Sequence, residues 1–471
     1  MKTTIVRPNL SNFIKSLRDV GYTFEIAVAD VLDNSISAGA TQVDIYTVAK
    51  PELLFCMLDN GQGMTEDDLT EAMRLATKNP DAIREKHDLG RFGLGLKTAS
   101  FSQCMKLTVI SKKNSLINIK QWDLEFISSQ NEWELLTPEL SDYKDYPLFE
   151  KLENNISGTL VIWENFDRYE KDSFTQRIEK LKKHLSLVFH RFLEGVQGTK
   201  KLKIYVNQSL LSPFDPFNTV NQFTREINAE KIKLFGSLIE ITPYILPHHK
   251  NISQQEWEEF GTEDGYIKSQ GFYFYRGNRL LIYGTWWGLH KATDAHKLVR
   301  IKIDISNNQD RFWGIDIKKS TANPVPEIKQ DLKRIIHEVV KEGIKPFMKR
   351  ASSIKDKTIT RFWNIIPEDN QIYFGINKEH PIYQQIVADL PIDTLFLFNS
   401  YLKSLEAYLP LPAIQSYLQQ HPHQIKQDEI MSKEEIETFA SKLKEMGLSK
   451  EYIDKLLKTE IFKDRKDLLL K

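Results

Sequence analysis

Apolar positions change period several times along this chain, and each change predicts an element. Residues 24–36 (FEIAVADVLDNSI) carry apolar side chains at helical spacing, with Gly39 following as a stop. Strand signals come next. Gln42–Thr47 alternates, Leu53–Leu58 is an apolar run of strand length, and Leu107–Ser111 and Thr159–Trp163 read the same way. A helix is expected from Leu96, and a long amphipathic one over Ser173–Leu193 ends at Gly195. A second mixed region follows. It holds strands at Lys203–Val206, Val299–Ile305 and Trp313–Ile317, and a hairpin over Gly271–Gly284 turning at Gly277-Asn278. A helix over Pro326–Ile344 completes it. Beyond residue 352 the pattern weakens. Residues 424–471 are charged and helical, with a capping box at Ser432-Lys-Glu-Glu435 and a stop at Gly447. The expected fold class is α+β: an α/β sandwich over 1–198, a second α/β domain over 199–351 and a mainly helical region over 352–471.

Composition narrows the context. The 471 residues are 41% hydrophobic and 27% charged, enough for substantial cores. Lys+Arg and Asp+Glu are 64 each, so no chain-wide basic surface exists and DNA contact would need a local patch. Cys56 and Cys104 have no metal-ligand spacing and imply no disulfide framework. The opening MKTTIVRPNL lacks a signal-peptide core, and no apolar run approaches the roughly 20 residues of a membrane span. A cytoplasmic protein with no membrane partner is expected.

Four sequence features could carry chemistry. Asp30 and Asn34 lie four apart on a predicted helix and share a face. An amide there can ligate Mg²⁺, and a carboxylate can orient an attacking water. Asp59-Asn-Gly61-Gln-Gly63-Met64 follows a strand; its carboxylate could accept from an exocyclic amine while Met64 packs on a base. Gly90, Gly93 and Gly95 precede a helix start that would bind an anion, with Lys97 adding charge. The spacing fits neither a P-loop, which needs Lys directly after Gly95, nor a dinucleotide fingerprint. Thr159 opens a strand after Gly158 and could reach a base through its hydroxyl. Singly, each has a plainer reading: a solvated pair on an amphipathic helix, two glycine turns and a strand threonine. His184 and His190 read as structural or solvated side chains of the long helix.

Taken in order, acid-x-x-x-Asn, D-x-G-x-G, G-x-x-G-x-G-x-K and G-T resemble the GHKL ATPases, which share the Bergerat fold. Val31–Thr41 looks most like the MutL/MORC branch, and Ala76-Thr77-Lys78 is similar to that branch's ATP lid. Gly271-Phe-Tyr-Phe-Tyr-Arg-Gly-Asn-Arg279 resembles its hairpin. The resemblance implies ATP and Mg²⁺ as ligands. Asp30 would be the catalytic acid and Asn34 the metal ligand. Asp59, Gly61, Gly63, Met64, Lys78, Gly90, Gly93, Gly95, Lys97 and Thr159 would contact nucleotide. Residues 199–351 would be a transducer domain that sends a lysine to the γ-phosphate; of Lys318 and Lys319, Lys319 is the choice. A nucleotide-dependent homodimer, a nuclease or helicase partner, action on DNA and a place in bacterial antiviral defence are implied by the same resemblance.

Asp30 departs from the branch, where glutamate is usual. The shorter side chain shifts the carboxylate by about a bond length, and a misplacement of about 1 Å can cost on the order of a hundredfold in rate. Slow turnover is therefore expected, and a non-hydrolysing ATP-binding adaptor is the alternative. A histidine kinase would need an upstream phosphoacceptor helix, yet no histidine precedes Asp30.

Overall fold

The computed structural model describes the chain apart from residues 1–2, 5–8, 76–94, 170–173, 197, 263–264, 311, 317–318, 320, 354–358, 369–370, 421–423, 426, 428–429 and 471. It divides into two compact units, Met1–Pro247 with Glu259–Glu342, and His248–Glu258 with Gly343–Lys471.

The first unit begins with α1 (Leu10–Arg18) and α2 (Phe24–Ser37), then β1 (Gln42–Val48) and β2 (Leu54–Asp59). Next come α3 (Glu66–Met73), α4 (Gly95–Gln103), β3 (Lys106–Lys113), β4 (Leu116–Asp123), α5 (Leu124–Gln130), α6 (Phe149–Asn154) and β5 (Gly158–Glu164). Helices α7 (Phe174–Val188) and α8 (His190–Glu194) lead to β6 (Lys203–Val206) and β7 (Ser209–Leu210). The sheet order is β4-β3-β5-β2-β1-β6-β7. Alternation along β2 sends Phe55 and Met57 to one face and Cys56 and Leu58 to the other. The first face packs on the helices through Phe24, Val28, Leu32 and Leu181; the second is closed by Tyr143, Phe149 and Leu152. Both faces are therefore buried, which is why β2 reads as a continuous apolar run rather than an alternating one.

Lys203–Val206, placed by its pattern with the second region, is instead an inner strand of this sheet. It pairs in parallel with β1, from Gln42↔Lys203 to Ile45↔Val206. The long predicted helix is divided at Phe189 between α7 and α8, and Gly195 ends it at φ +73.

The second sheet contains β8 (Arg225–Glu226), β9 (Glu230–Leu234), β10 (Ser237–Ile245), β11 (Gly271–Arg276), β12 (Arg279–Thr285) and β13 (Val299–Ile305). Its order is β12-β11-β13-β10-β8, with β9 on β10. Short helices α9 (Gln254–Gly261) and α10 (Gly265–Lys268) precede β11, and α11 (Pro326–Ser353) follows the sheet. Ile328, Leu332, Ile335, Ile336 and Val339 of α11 join Phe272, Phe274, Ile301 and Ile303 in one core. The β11–β12 turn falls at Gly277-Asn278, both at positive φ (55° and 70°), as a two-residue hairpin loop requires. Of the strand expected at Trp313–Ile317, the described residues 313–316 form none. Residues 312–314 are a turn, and Trp313 is buried as a plug under β11, where its ring lies 4.6 Å from Phe274.

The second unit holds a hairpin that helical patterning did not anticipate, β14 (Trp363–Glu368) with β15 (Gln371–Ile376). Helices α12 (Pro381–Asp389), α13 (Ile392–Ala407), α14 (Leu411–Gln420), α15 (Lys433–Glu445), α16 (Lys450–Leu456) and α17 (Asp467–Leu470) follow. The Ser432/Glu435 capping box is formed, and Gly447 stands at φ +63. Among the described residues no helix is long and apolar enough to cross a membrane.

Candidate functional site

The site is built on α2. Thr23 caps the helix by accepting from the Ile26 N–H, and Phe24, Ala27, Val28, Val31 and Leu32 anchor it in the core. That anchoring places Asp30 and Asp33 side by side at 2% and 1% exposure. Two carboxylates buried together require positive charge beside them. The second sheet and the loop after it supply two cations. Lys319 Nζ lies 3.1 Å from Asp30 Oδ1 and 2.5 Å from Asp33 Oδ2. Arg279 Nε lies 2.7 Å from Asp33 Oδ1, and Arg279 Nη2 is 3.5 Å from Asp30 Oδ1. The Tyr22 hydroxyl donates to Asp30 Oδ2 at 2.8 Å. Burial pushes the Asp30 carboxyl up, opposed first by Lys319 and then by Arg279. Lys319 itself sits at φ +54, a left-handed conformation costing a non-glycine residue roughly 1–2 kcal/mol, which its two carboxylate contacts offset.

Asn34, one residue beyond Asp33, is exposed. Its Nδ2 donates to the Asp30 carbonyl at 3.3 Å, which leaves Oδ1 as the atom suited to a cation. Helix α4 opens beside the same acid, since a Cβ on Gly95 would lie 3.8 Å from Asp30 Oδ2. The N-terminus of α4, a place suited to an anion, therefore lies beside Asp30.

Asp59 ends β2 at 6% exposure. Its Oδ2 accepts from Ser35 Oγ and its Oδ1 from the Gly61 N–H, both at 2.8 Å. Burial raises its pKa against these donors. Asn60 turns the other way, accepting the Thr41 and Gln42 amides at 2.9 Å and so tying the loop to β1. Gly63 is at φ +63, and a Cβ there would fall 1.9 Å from the Lys112 carbonyl oxygen. Met64 is half-buried and its N–H donates to Ser111 Oγ at 2.9 Å; the same hydroxyl meets Thr159 Oγ1 at 2.9 Å. Asp59, the glycine turn, Met64 and Thr159 thus form one rim.

Lys97 lies in the first turns of α4. It is buried at 3% exposure, and Nζ donates to the Ala72 carbonyl at 2.8 Å. Lys78, Gly90, Gly93 and Lys318 lie outside the described residues.

Three partners of the acid escaped sequence reasoning: Tyr22, Asp33 and Arg279. Asp33 was visible as a second acid one helical turn from Asp30, and Arg279 as the charged position straight after the Gly277-Asn278 turn. Beside them lies a cavity of about 190 Å³, lined by Ile26, His184, Val188, Arg279, Tyr283 and Lys319 among others. Burial, and secondarily Arg279, pushes His184 down to about 4, so it stands there as a neutral imidazole.

Comparison with known proteins places the stretch that carries Tyr22, Asp30, Asp33 and Asp59. Residues 22–159 match the family described as "Histidine kinase-, DNA gyrase B-, and HSP90-like ATPase". This domain belongs to the GHKL ATPase family. Among curated relatives, the chain is 28% identical over 116 residues to "ATPase MORC2B" of Mus musculus, covering 24% of this chain and 11% of the relative. It is 33% identical over 114 residues to "DNA mismatch repair protein MutL" of Shewanella denitrificans, covering 24% and 17%. It is 31% identical over 105 residues to "Putative MutL protein homolog 1" of Schizosaccharomyces pombe, covering 22% and 15%. The GHKL domain is thus of MutL/MORC type, and the matched stretch spans less than a fifth of each of these relatives.

Proposed function

We propose that the chain is a Mg²⁺-dependent, slowly hydrolysing ATP switch whose second domain reports on the nucleotide through Lys319. The observation that carries this reading is the contact of Lys319 with Asp30. It ties the loop after the second sheet to the acid of the nucleotide helix.

The donor set fits ATP and Mg²⁺. Asp59 is the acceptor for the adenine amine, with Met64 and Thr159 on the same rim. Asn34 Oδ1 suits the cation, and the α4 N-terminus at Gly95 suits phosphate. Lys78, Gly90, Gly93 and Lys97 complete the phosphate set by sequence. Asp30 holds the attacking water and takes its proton as the terminal phosphate departs, giving ADP and inorganic phosphate. While Lys319 and Arg279 hold its carboxylate, Asp30 is not free to take that proton. Transfer of Lys319 to the terminal phosphate frees the acid and draws the second domain in, one movement serving both chemistry and signalling.

A second reading has its own support. The same ion pairs that quench Asp30, together with its length, favour a non-hydrolysing adaptor. Closure into a homodimer, action on DNA, cooperation with a nuclease or helicase, and a role in bacterial antiviral defence extend the proposal; family resemblance is their support. ATP binding by calorimetry, with and without Mg²⁺, tests the core of it. The proposal expects Mg²⁺-dependent binding that Asn34→Ala weakens, and no nucleotide binding in any condition contradicts it.

A further inference from the structure

The cavity of about 190 Å³ lies where α7 and β12 meet, beside the four buried charges of Asp30, Asp33, Arg279 and Lys319. His184 and Val188, one helical turn apart on α7, line it together. Ile26 of α2 and Ile282 of β12 add apolar wall, and Arg279 and Lys319 add cations. Tyr283 lines it as well and is 39% exposed, so the cavity reaches solvent. A cavity of about 150 Å³ is enough to hold benzene, so there is room here for a ring and one polar group.

The polar groups around the cavity are mostly donors. Lys319 directs two of its three N–H bonds to Asp30 and Asp33. Arg279 sets Nε and Nη2 against the same two acids. One Lys319 N–H and the Arg279 Nη1 amino group are left without an acceptor among the described residues. Neither ring nitrogen of His184 has a hydrogen bond among them either. Water can meet these donors, but it gains nothing against Ile26, Val188 and Ile282.

We propose that this cavity binds a small carboxylic acid with an apolar body, of about the size of benzoate. The carboxylate accepts from Lys319, Arg279 and His184, and the body lies on the three apolar side chains. Hydrogen bonds between ionised partners are roughly twice as strong as neutral ones. A neutral amide would bring further donors to a place already rich in them. Inorganic phosphate would leave the apolar wall uncovered, and a metal ion would face two cations. Apolar walls with a few converging polar groups are the usual make of a small-molecule site. The bound acid holds Lys319 in its place against Asp30. If Lys319 is the phosphate sensor proposed above, the acid thereby opposes closure on ATP; its binding does not rest on that role.

Fluorine NMR on the full chain without nucleotide tests the site, with 4-fluorobenzoate as the probe. Saturable binding in the millimolar range is expected of so small a ligand. 4-Fluorobenzamide, which has the shape without the charge, should bind at least about tenfold more weakly. Acetate, which has the charge without the ring, should displace the probe only at about tenfold higher concentration or more. His184→Leu should weaken the probe at least about fivefold. Val188→Phe, which fills the space, should abolish binding with the thermal melt retained; if that variant does not fold, His184→Leu and the amide comparison still decide. No saturable binding by wild type overturns the proposal. So does binding that His184→Leu leaves unchanged, or an amide that binds as tightly as the acid. Omitting nucleotide keeps this result separate from whether the chain binds or hydrolyses ATP.

Discussion

Lys319 and Asp30 are 289 positions apart in sequence, yet the ammonium lies 3.1 Å from the carboxylate. With Asp33 and Arg279 they form a buried square of two negative and two positive charges. Such a group is stable only while its charges balance.

Lys319→Ala leaves two buried carboxylates facing one guanidinium, and should destabilise the first unit by about 3 kcal/mol. Adding Asp33→Asn restores the balance and should recover at least about 1 kcal/mol of that loss. Denaturant unfolding of the two single variants and the double variant checks this. Simple additivity of the two losses would show that the four charges do not act together.

Asp59→Asn keeps the shape of the side chain and its Gly61 contact but removes the charge that would grip the adenine amine. A hydrogen bond to a charged group is worth about 1.5–3 kcal/mol, so ATP affinity should fall by about tenfold to a hundredfold. Titration with a fluorescent ATP analogue reads the change. Unaltered affinity would remove Asp59 from the adenine contacts.

Gly63→Ala and Gly39→Ala both alter positive-φ positions, at +63° and +76°. They differ in space: a Cβ at 63 meets the Lys112 carbonyl oxygen at 1.9 Å, whereas one at 39 meets nothing within 4 Å. Gly39→Ala should cost about 1 kcal/mol from the backbone alone. Gly63→Ala should cost at least about 2 kcal/mol more and loosen the loop below Asp59. Equal melting temperatures would refute the close approach.

His184 gives a pH dependence. Its folded pKa, about 4, lies below the ordinary 6.5, so the fold favours the neutral ring. The stabilisation is full above 6.5 and is lost as pH falls toward 4, reaching up to about 3 kcal/mol. His184→Gln should flatten that part of the stability curve in urea titrations from pH 7 to 4. An unchanged slope would place the ring in water.

How far the sequence could be read follows from where each signal resides. Asp30, Asn34, Asp59 and Gly63 were legible because helix spacing and glycine turns are local. Arg279, Tyr22 and the pairing of Lys203–Val206 with β1 were not, since they depend on which distant elements meet. Trp313 mimicked a strand residue because a buried turn and a buried strand share the same apolar pattern. The hairpin at Trp363–Ile376 was lost among helix-forming neighbours.

On the proposed mechanism Asp30, although paired, serves as the base for ATP hydrolysis. Turnover of ATP with Mg²⁺ by wild type and by Asp30→Ala tests it most directly. Slow but measurable wild-type hydrolysis, reduced by about a hundredfold or more in Asp30→Ala, is the predicted result. Equal rates in the two proteins, with ATP binding retained in both, would contradict it and leave the adaptor reading.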